Sequence, residues 1–262
     1  MGPRLVEFTG LPVQGTILDF GSGTGSLAFA IAEHGGARVL GIDPSKGYVA
    51  YARSRNPFPD RVTFEAGDAQ QLHFPDASFD AALSLLALNF IPDPKRALSE
   101  LHRVVKPGGK IAAAVWDYGA GMQMLRVFWD AATSIDPDAE KFDEKHMPLC
   151  RACELAVLWR EAGLESVDEQ SIETPMKFES LADYWDPFLL GQGPAGSYVR
   201  RLDRAKLQAL REEVKRRLSL LSTLRSGALR SGEQSDNSSG EDRPFVLPAR
   251  VWSVRGTIPN RR

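Results

Sequence analysis

From about Thr16 to Asp117, short apolar runs alternate with stretches in which apolar residues recur every three or four positions. This is the rhythm of a parallel sheet covered by helices on both faces. The runs predict strands at 16–20, 38–42, 62–65, 79–85 and 110–116. A helix is expected over 24–34, with Leu27, Ala30, Ile31 and Ala32 facing inward and Gly35-Gly36 stopping it. Another is expected over 94–105, where Asp93 caps the start and Pro94 suits the first position. Ala97, Leu98, Leu101, Val104 and Val105 share one face of it, and Lys106-Pro107-Gly108-Gly109 ends it.

Past Trp116 the rhythm weakens. Helical patterns at 122–134 and 152–161 lead to a strand at 167–174. A last strand is expected at 249–254, kept from starting much earlier by Pro248, which cannot donate to a ladder. The fold class is therefore α/β: a Rossmann-like seven-stranded, mostly parallel sheet with helices on both faces and a helical cap insertion before the last strand. In domain terms, 1–174 and 245–262 form the sheet domain and 175–244 the cap. A mobile loop is expected at 226–242, which is rich in Ser, Gly, Asn and Glu and almost lacks large apolar residues.

Composition narrows the function classes. A chain of 262 residues, 43% hydrophobic and 25% charged, closes a core without disulfide or metal staples. Its formal net charge of -2 gives no global case for nucleic acid or an anionic membrane. The longest strongly apolar run, 81–88, is far short of the roughly 20 residues that span a bilayer, so no membrane span is expected. The first ten residues include Glu7 and lack the cationic flank and apolar run of a secretory signal, which favours a cytoplasmic location. Cys150 and Cys153 have C-x-x-C spacing, but no second Cys or His pair lies nearby, so no metal or redox site is expected.

Candidate chemistry concentrates at the ends of the first three strands. Ile17-Leu18-Asp19-Phe20-Gly21-Ser22-Gly23-Thr24-Gly25 runs from a strand through a glycine-rich turn into a helix. Such glycines let a ligand approach the backbone, and the helix start offers N–H groups and a positive dipole. The spacing is G-x-G-x-G, and Ser26 stands where the dinucleotide fingerprint has its third glycine. Asp43, ending the second strand, stands where an acid accepts hydrogen bonds from both ribose hydroxyls of a nucleoside; its alternative role is to cap the helix beginning near Ser45. Asp68, after the third strand, can accept from an adenine amino group while the Ala69 backbone reads a ring nitrogen, or it can simply cap its loop.

Together these elements resemble the class I S-adenosylmethionine-dependent methyltransferases, particularly the ubiquinone/menaquinone methyltransferase-like (methyltransferase type 11) branch. The resemblance covers about residues 17–116 and includes Phe74-Pro75-Asp76-Ala77-Ser78-Phe79-Asp80, the Asp93-Pro94 helix start and Arg103-Val104-Val105-Lys106-Pro107-Gly108-Gly109. It implies methyl transfer from S-adenosyl-L-methionine to a small-molecule acceptor. It further implies a cofactor site made of Asp19, Gly21, Ser22, Gly23, Thr24, Gly25, Asp43, Pro44, Gly67, Asp68, Ala69 and Leu85, the last offering backbone. Members usually carry a helix before the first strand that closes over the cofactor. Only about fifteen residues precede Thr16 here, so an incomplete lid is expected.

The sulfonium is an activated donor, so transfer requires chiefly an acceptor held in line and shielded from water, and a base is optional. His146, Asn89 and Tyr118 are the catalytic candidates, with Trp116, Asp117, Tyr184 and Gln192 as further acceptor contacts. His146 leads as a general base because it lies in an irregular segment. Tyr184, Trp185 and Phe188 are expected to wall the acceptor; the plainer reading makes them packing. A nucleic-acid methyltransferase is the first rival, because ten cations from Arg200 to Arg230 face only Asp203, Glu212 and Glu213. Those cations also read as the solvated face of a helix whose partner face is Leu202, Leu207, Leu210, Val214 and Leu218. A cofactor-binding module without catalysis and a nicotinamide oxidoreductase are the other rivals.

Overall fold

The computed structural model describes residues 1–191, 193–227 and 243–260. The chain divides into two compact units, one formed by Met1–Trp116, Pro148–Ile172 and Val251–Arg262, the other by Asp117–Met147 and Glu173–Arg250. The second unit thus gathers two stretches, where the sequence reading drew a single insertion at 175–244. Gln192 and 228–242, most of the expected mobile loop, lie outside the described residues.

Among the described residues seven strands form one sheet in the order β3-β2-β1-β4-β5-β7-β6. They are β1 (Thr16–Phe20), β2 (Arg38–Asp43), β3 (Val62–Ala66), β4 (Phe79–Leu85), β5 (Val105–Trp116), β6 (Glu165–Phe178) and β7 (Phe245–Thr257). The chain steps outward from β1 to β3 and then returns to place β4 on the other side of β1, all in parallel. β7 runs antiparallel to β5. The reversal of strand order between β1 and β4 is a topological switch point, and ligands of open α/β sheets lie outside the carboxyl ends of the strands there.

Alternation along the strands sends side chains to two cores. On one face Ile17, Val39, Leu83 and Ala112 meet Leu5 and Val6 of α1 (Gly2–Thr9), Leu27 and Ile31 of α2 (Ser26–His34), and Val49 and Ala52 of α3 (Lys46–Ser54). On the other, Leu18, Ala82, Ile111 and Ala113 meet Leu98 and Leu101 of α4 (Pro94–Val104) and Leu155 and Trp159 of the helix Glu154–Glu161. Between α4 and Glu154–Glu161 the chain forms α5 (Gln123–Ile135), so Glu154–Glu161 is α6. Asp93 caps α4 through a 2.9 Å bond accepted from the Arg96 amide, and Pro94 stands in its first turn. The second unit contains α5, α7 (Leu181–Leu189), α8 (Gly193–Val199) and α9 (Arg204–Gly227).

Two expectations need correction, and a third element lies outside what the pattern predicts. First, β7 begins at Phe245 and runs through Pro248; its pairing with β5 starts only at Val251, so the missing proline N–H removes no bond from that ladder. Second, β5 begins at Val105, because Phe79 pairs with Val105 and Ala81 with Lys110, leaving Lys106-Pro107-Gly108-Gly109 as a bulge inside the strand. Third, the short segment before β1 does form a helix. α1 buries Leu5, Val6 and Phe8, and its last carbonyls accept from cations, Phe8 from Arg255 at 2.6 Å and Thr9 from Lys110 at 2.9 Å. Among the described residues, no helix is long and apolar enough to cross a membrane.

Gly41, in the middle of β2, tests the packing behind the glycine turn. A Cβ there would lie 2.7 Å from Phe64 Cε1 and 2.9 Å from Ser22 Cβ, both attached to buried residues. Gly41→Ala should therefore cost about 1–3 kcal/mol of folding stability by overpacking. Gly23→Ala, whose Cβ meets nothing within 4 Å, should cost only the strain of its positive φ, roughly 1 kcal/mol. Urea denaturation of the two variants measures the difference, and equal losses would contradict the packing described.

Candidate functional site

The turn after β1 is fixed by the end of β2. The Gly21 and Ser22 amides donate to Ile42 O at 2.8 and 2.9 Å, and the Gly23 amide donates to Asp43 Oδ2 at 2.9 Å. The other oxygen of Asp43 accepts from the Ser45 amide at 2.8 Å, while Ser45 caps α3 through the Tyr48 amide. Gly21 (φ +70) and Gly23 (φ +52) occupy the left-handed region, and a Cβ on Gly21 would collide with the Ala87 Cβ. The turn therefore requires glycine at both its inner and outer positions for different reasons, close packing at Gly21 and conformation at Gly23.

This turn forms one wall of a cleft of about 760 Å³ at the carboxyl ends of β1 to β4. Volumes of that size suit a ligand of several rings. Asp19, Gly21, Ser22, Gly23, Thr24, Ser26 and Leu27 line it from β1 and α2; Asp43, Pro44 and Tyr48 from β2 and α3. Gly67, Asp68, Ala69 and Gln70 line it after β3, and Leu85, Leu86, Ala87, Phe90, Ile91 and Pro92 after β4. Of the twelve cofactor residues expected from sequence, eleven line the cleft. Gly25 does not. It precedes α2 with φ +92, and a Cβ there would press on the Phe29 and Phe64 rings.

The three acids of the cleft stand in different environments. Asp19 is fully buried, and its carboxylate oxygens lie outside close hydrogen-bonding geometry, the Ala28 amide being the one donor that bears on them. Burial pushes its pKa up to about 7; the Ala28 amide opposes the shift and the Asp43 carboxylate adds to it. Asp43 is engaged by two amides, as above. Asp68 is exposed, with Oδ1 accepting from the Gln70 amide at 2.9 Å and both oxygens from the Gln70 side chain. No Lys, Arg or His lines the cleft among the described residues. The arrangement is suited to a ligand with hydrogen-bond donors and positive charge, and it is unsuited to a polyphosphate.

None of the three catalytic candidates is among the residues that line this cleft. Asn89 is buried in the turn Leu88–Phe90, with Nδ2 unpartnered. His146, in the second unit, is exposed and pairs with Glu140 Oε1 at 3.2 Å. Tyr118 is buried in that same unit. Asp117 is held by Arg250 at 2.6 and 2.9 Å, and Trp116 packs at the edge of one core of the sheet. Tyr184, Trp185 and Phe188 are buried, with the Tyr184 hydroxyl donating to Met124 O at 2.6 Å and its ring against Phe178 and Phe188, so these rings pack within the second unit.

Sequence reasoning missed Tyr48, Gln70, Leu86, Phe90, Ile91 and Pro92. Tyr48 and Phe90 are each more than half exposed, yet they line the cleft. Leu86 takes a positive φ of 62°, a strained backbone of the kind that gathers at functional sites. No sequence pattern marks a leucine for that conformation. Tyr48 was within reach, being an aromatic in the first turn after the Ser45 cap, on the helix that follows Asp43.

A sheet in this order, with an antiparallel last strand and a glycine-turn cleft at the switch point, is the Rossmann-like fold of the class I methyltransferases. Residues 18–113 match the family model described as a methyltransferase domain. A demethylmenaquinone methyltransferase from Clavibacter sepedonicus is 44% identical over 101 residues, 38% of this chain and 41% of that protein. The O-methyltransferase cnsE of Penicillium expansum is 34% identical over 181 residues, 66% of this chain and 61% of its own length. The chain spans 41% and 38% of the first two curated relatives it matches. Among solved structures, a phosphoethanolamine N-methyltransferase from Haemonchus contortus in complex with S-adenosyl-L-methionine aligns with a TM-score of 0.58 at 17% identity, covering 99% of this chain and 52% of that one. The cyclase SpnF aligns at 0.57 and 20% identity, over 99% and 80%.

Asp19 generates a pH prediction. Its carboxyl has an ordinary value of 3.8 in the unfolded chain and about 7 in the fold, so the folded ligand-free protein holds the proton more tightly. Its contribution to stability is therefore complete below about pH 4, falls as pH rises, and is flat above about 7. Asp19→Asn, which keeps the shape without the charge, should gain stability over wild type across that window, by an amount on the order of 4 kcal/mol at most. Denaturant titrations of both proteins at pH 5 and pH 8 measure it; a stability difference that does not change with pH would refute the assignment.

Proposed function

We propose that the chain binds S-adenosyl-L-methionine in the cleft and transfers its methyl group to a small-molecule acceptor. The observation that carries the reading is the row of three acids at successive strand ends, Asp19, Asp43 and Asp68, in a cleft that no cationic side chain lines among the described residues. The buried, weakly compensated carboxylate of Asp19 fits a cationic amino group. Asp43, already fixed by two amides, has lone pairs left for a ribose diol. Asp68 and Ala69 face an adenine edge, and Tyr48 and Ile91 supply apolar surface for its faces. The bound sulfonium would supply an activated methyl group. The chain's own task is then to hold, orient and shield the reactants, and a lining without imidazole or amine is compatible with that task.

Small-molecule acceptors accord with the relatives, whose names include demethylmenaquinone, 2-methyl-6-phytyl-1,4-hydroquinone and 27-O-demethylrifamycin SV methyltransferases. Nucleic acid fits less well. On α9, Glu213 binds both Arg216 and Arg217, and these two cations hold its carboxyl down at about 2; Lys206 pairs with Asp136. Three of the ten cations from Arg200 to Arg230 are thus paired within the unit. A nicotinamide dinucleotide fits less well too, since its pyrophosphate would meet carboxylates. A cytoplasmic setting belongs to the same reading.

Calorimetry with S-adenosylmethionine and S-adenosylhomocysteine tests the cofactor. Binding of both is expected, and no heat or thermal stabilisation at millimolar ligand would sink the proposal. Asp43→Ala should weaken binding by about 1.5–3 kcal/mol. Transfer of labelled methyl from the donor into an extract of small metabolites separates an enzyme from a binding module, and label found only in RNA would favour the rival.

A further inference from the structure

Gln70 ties the stretch of cleft lining after β3 to the segment that leads from β4 into α4. Its side-chain Nε2 donates to Asp68 Oδ1 and Oδ2 at 3.0 and 3.1 Å, and its backbone N–H donates to Oδ1 at 2.9 Å. At the other end of the same amide, Oε1 accepts from the Asp93 backbone N–H at 3.0 Å, and the Gln70 carbonyl accepts from Arg96 Nε at 2.9 Å. Asp93 caps α4 and directly follows Pro92, the last residue of the Phe90–Pro92 wall. The orientation of the amide is forced, because a carboxylate only accepts and a backbone N–H only donates. One side chain therefore holds the plane of the Asp68 carboxylate and ties it to the segment that leads into α4.

An exposed carboxylate on a loop is otherwise free to rotate and hydrate. Held by three N–H bonds from one residue, it presents a fixed set of remaining lone pairs to the cleft. We propose that Gln70 is a positioning residue that sets Asp68 for a ring bearing an amino donor and against a ring bearing a carbonyl at the same position. The inference rests on the nucleoside reading of the cleft. Glutamine is required for it: a glutamate would still accept from Asp93 N–H, but it would lose the donor to Asp68 and place a second carboxylate beside the first.

The experiment compares S-adenosylhomocysteine with its inosine counterpart, S-inosylhomocysteine, by calorimetry on the full chain. Wild type should prefer the adenine ligand by about tenfold or more, since a carbonyl would face the fixed acceptor. Gln70→Glu and Gln70→Ala should both bring that ratio to within about threefold while S-adenosylhomocysteine still binds measurably. Wild type that binds S-adenosylhomocysteine without preference over the inosine ligand would overturn the inference. So would variants that lose affinity for both ligands equally, the mark of a scaffold role. Wild type that binds neither ligand would instead remove the nucleoside reading on which the inference stands.

Discussion

The short turn between β1 and α2 is held in place by atoms of β2, and the rest of the cleft is arranged around that attachment. Ile42 O accepts from two successive amides of the turn, and the Asp43 carboxylate accepts from a third while its other oxygen accepts from the Ser45 amide before α3. A turn with several N–H groups pointing one way is costly to bury unless they are satisfied. Here β2 satisfies them, which is possible only because Gly41 leaves room for Phe64 and Ser22 beside the strand. The switch point between β1 and β4 then stays open, since Gly21 lies against Ala87 with no side chain between them.

Asp19 and Asp43 sit on neighbouring strands, and their contrast shows how the sheet divides labour. Asp43 is compensated by amides and serves structure whether or not a ligand is bound. Asp19 is compensated by nothing of comparable strength, so its charge is disfavoured until something positive arrives. A buried acid left in that state works against the stability of the ligand-free fold. Its retention on the cleft floor is easier to understand as a receptor for charge than as part of the core.

How much of this was legible in the sequence depends on which forces decided each element. The pattern matches β1 and β4 to the residue because both are central and buried on two faces, β1 between Gly15 and Gly21 and β4 after Ser78. The starts of β5 and β7 differ from the expectation because a sequence pattern counts proline and glycine as breakers. Those residues fall in a bulge or ahead of the ladder, where no N–H is needed. α1 went unread because eight residues carry too little periodicity to declare a helix; its formation is secured by Arg255 and Lys110, more than a hundred residues away. The acids of the site were legible from their places at strand ends. Their partners were not: Gln70 has no motif, and the strained backbone of Leu86 has no sequence signature.

The catalytic candidates were the least legible part, for a chemical reason. When a reaction needs a base, the base must be an ionisable side chain of suitable pKa in a particular place, and sequence patterns can find it. When the donor is already activated, the requirements are shape, apolar shielding and alignment, which many residues satisfy and none advertises. His146 drew attention because histidine is the usual base, yet it forms a surface pair with Glu140, as a solvated histidine does beside an acid. Leu86, Ala87, Phe90 and Ile91, unremarkable in sequence, form the apolar wall beside the glycine turn. Under the proposed reading, a wall of that composition would help shield a bound sulfonium from water, a task that calls for no particular ionisable side chain.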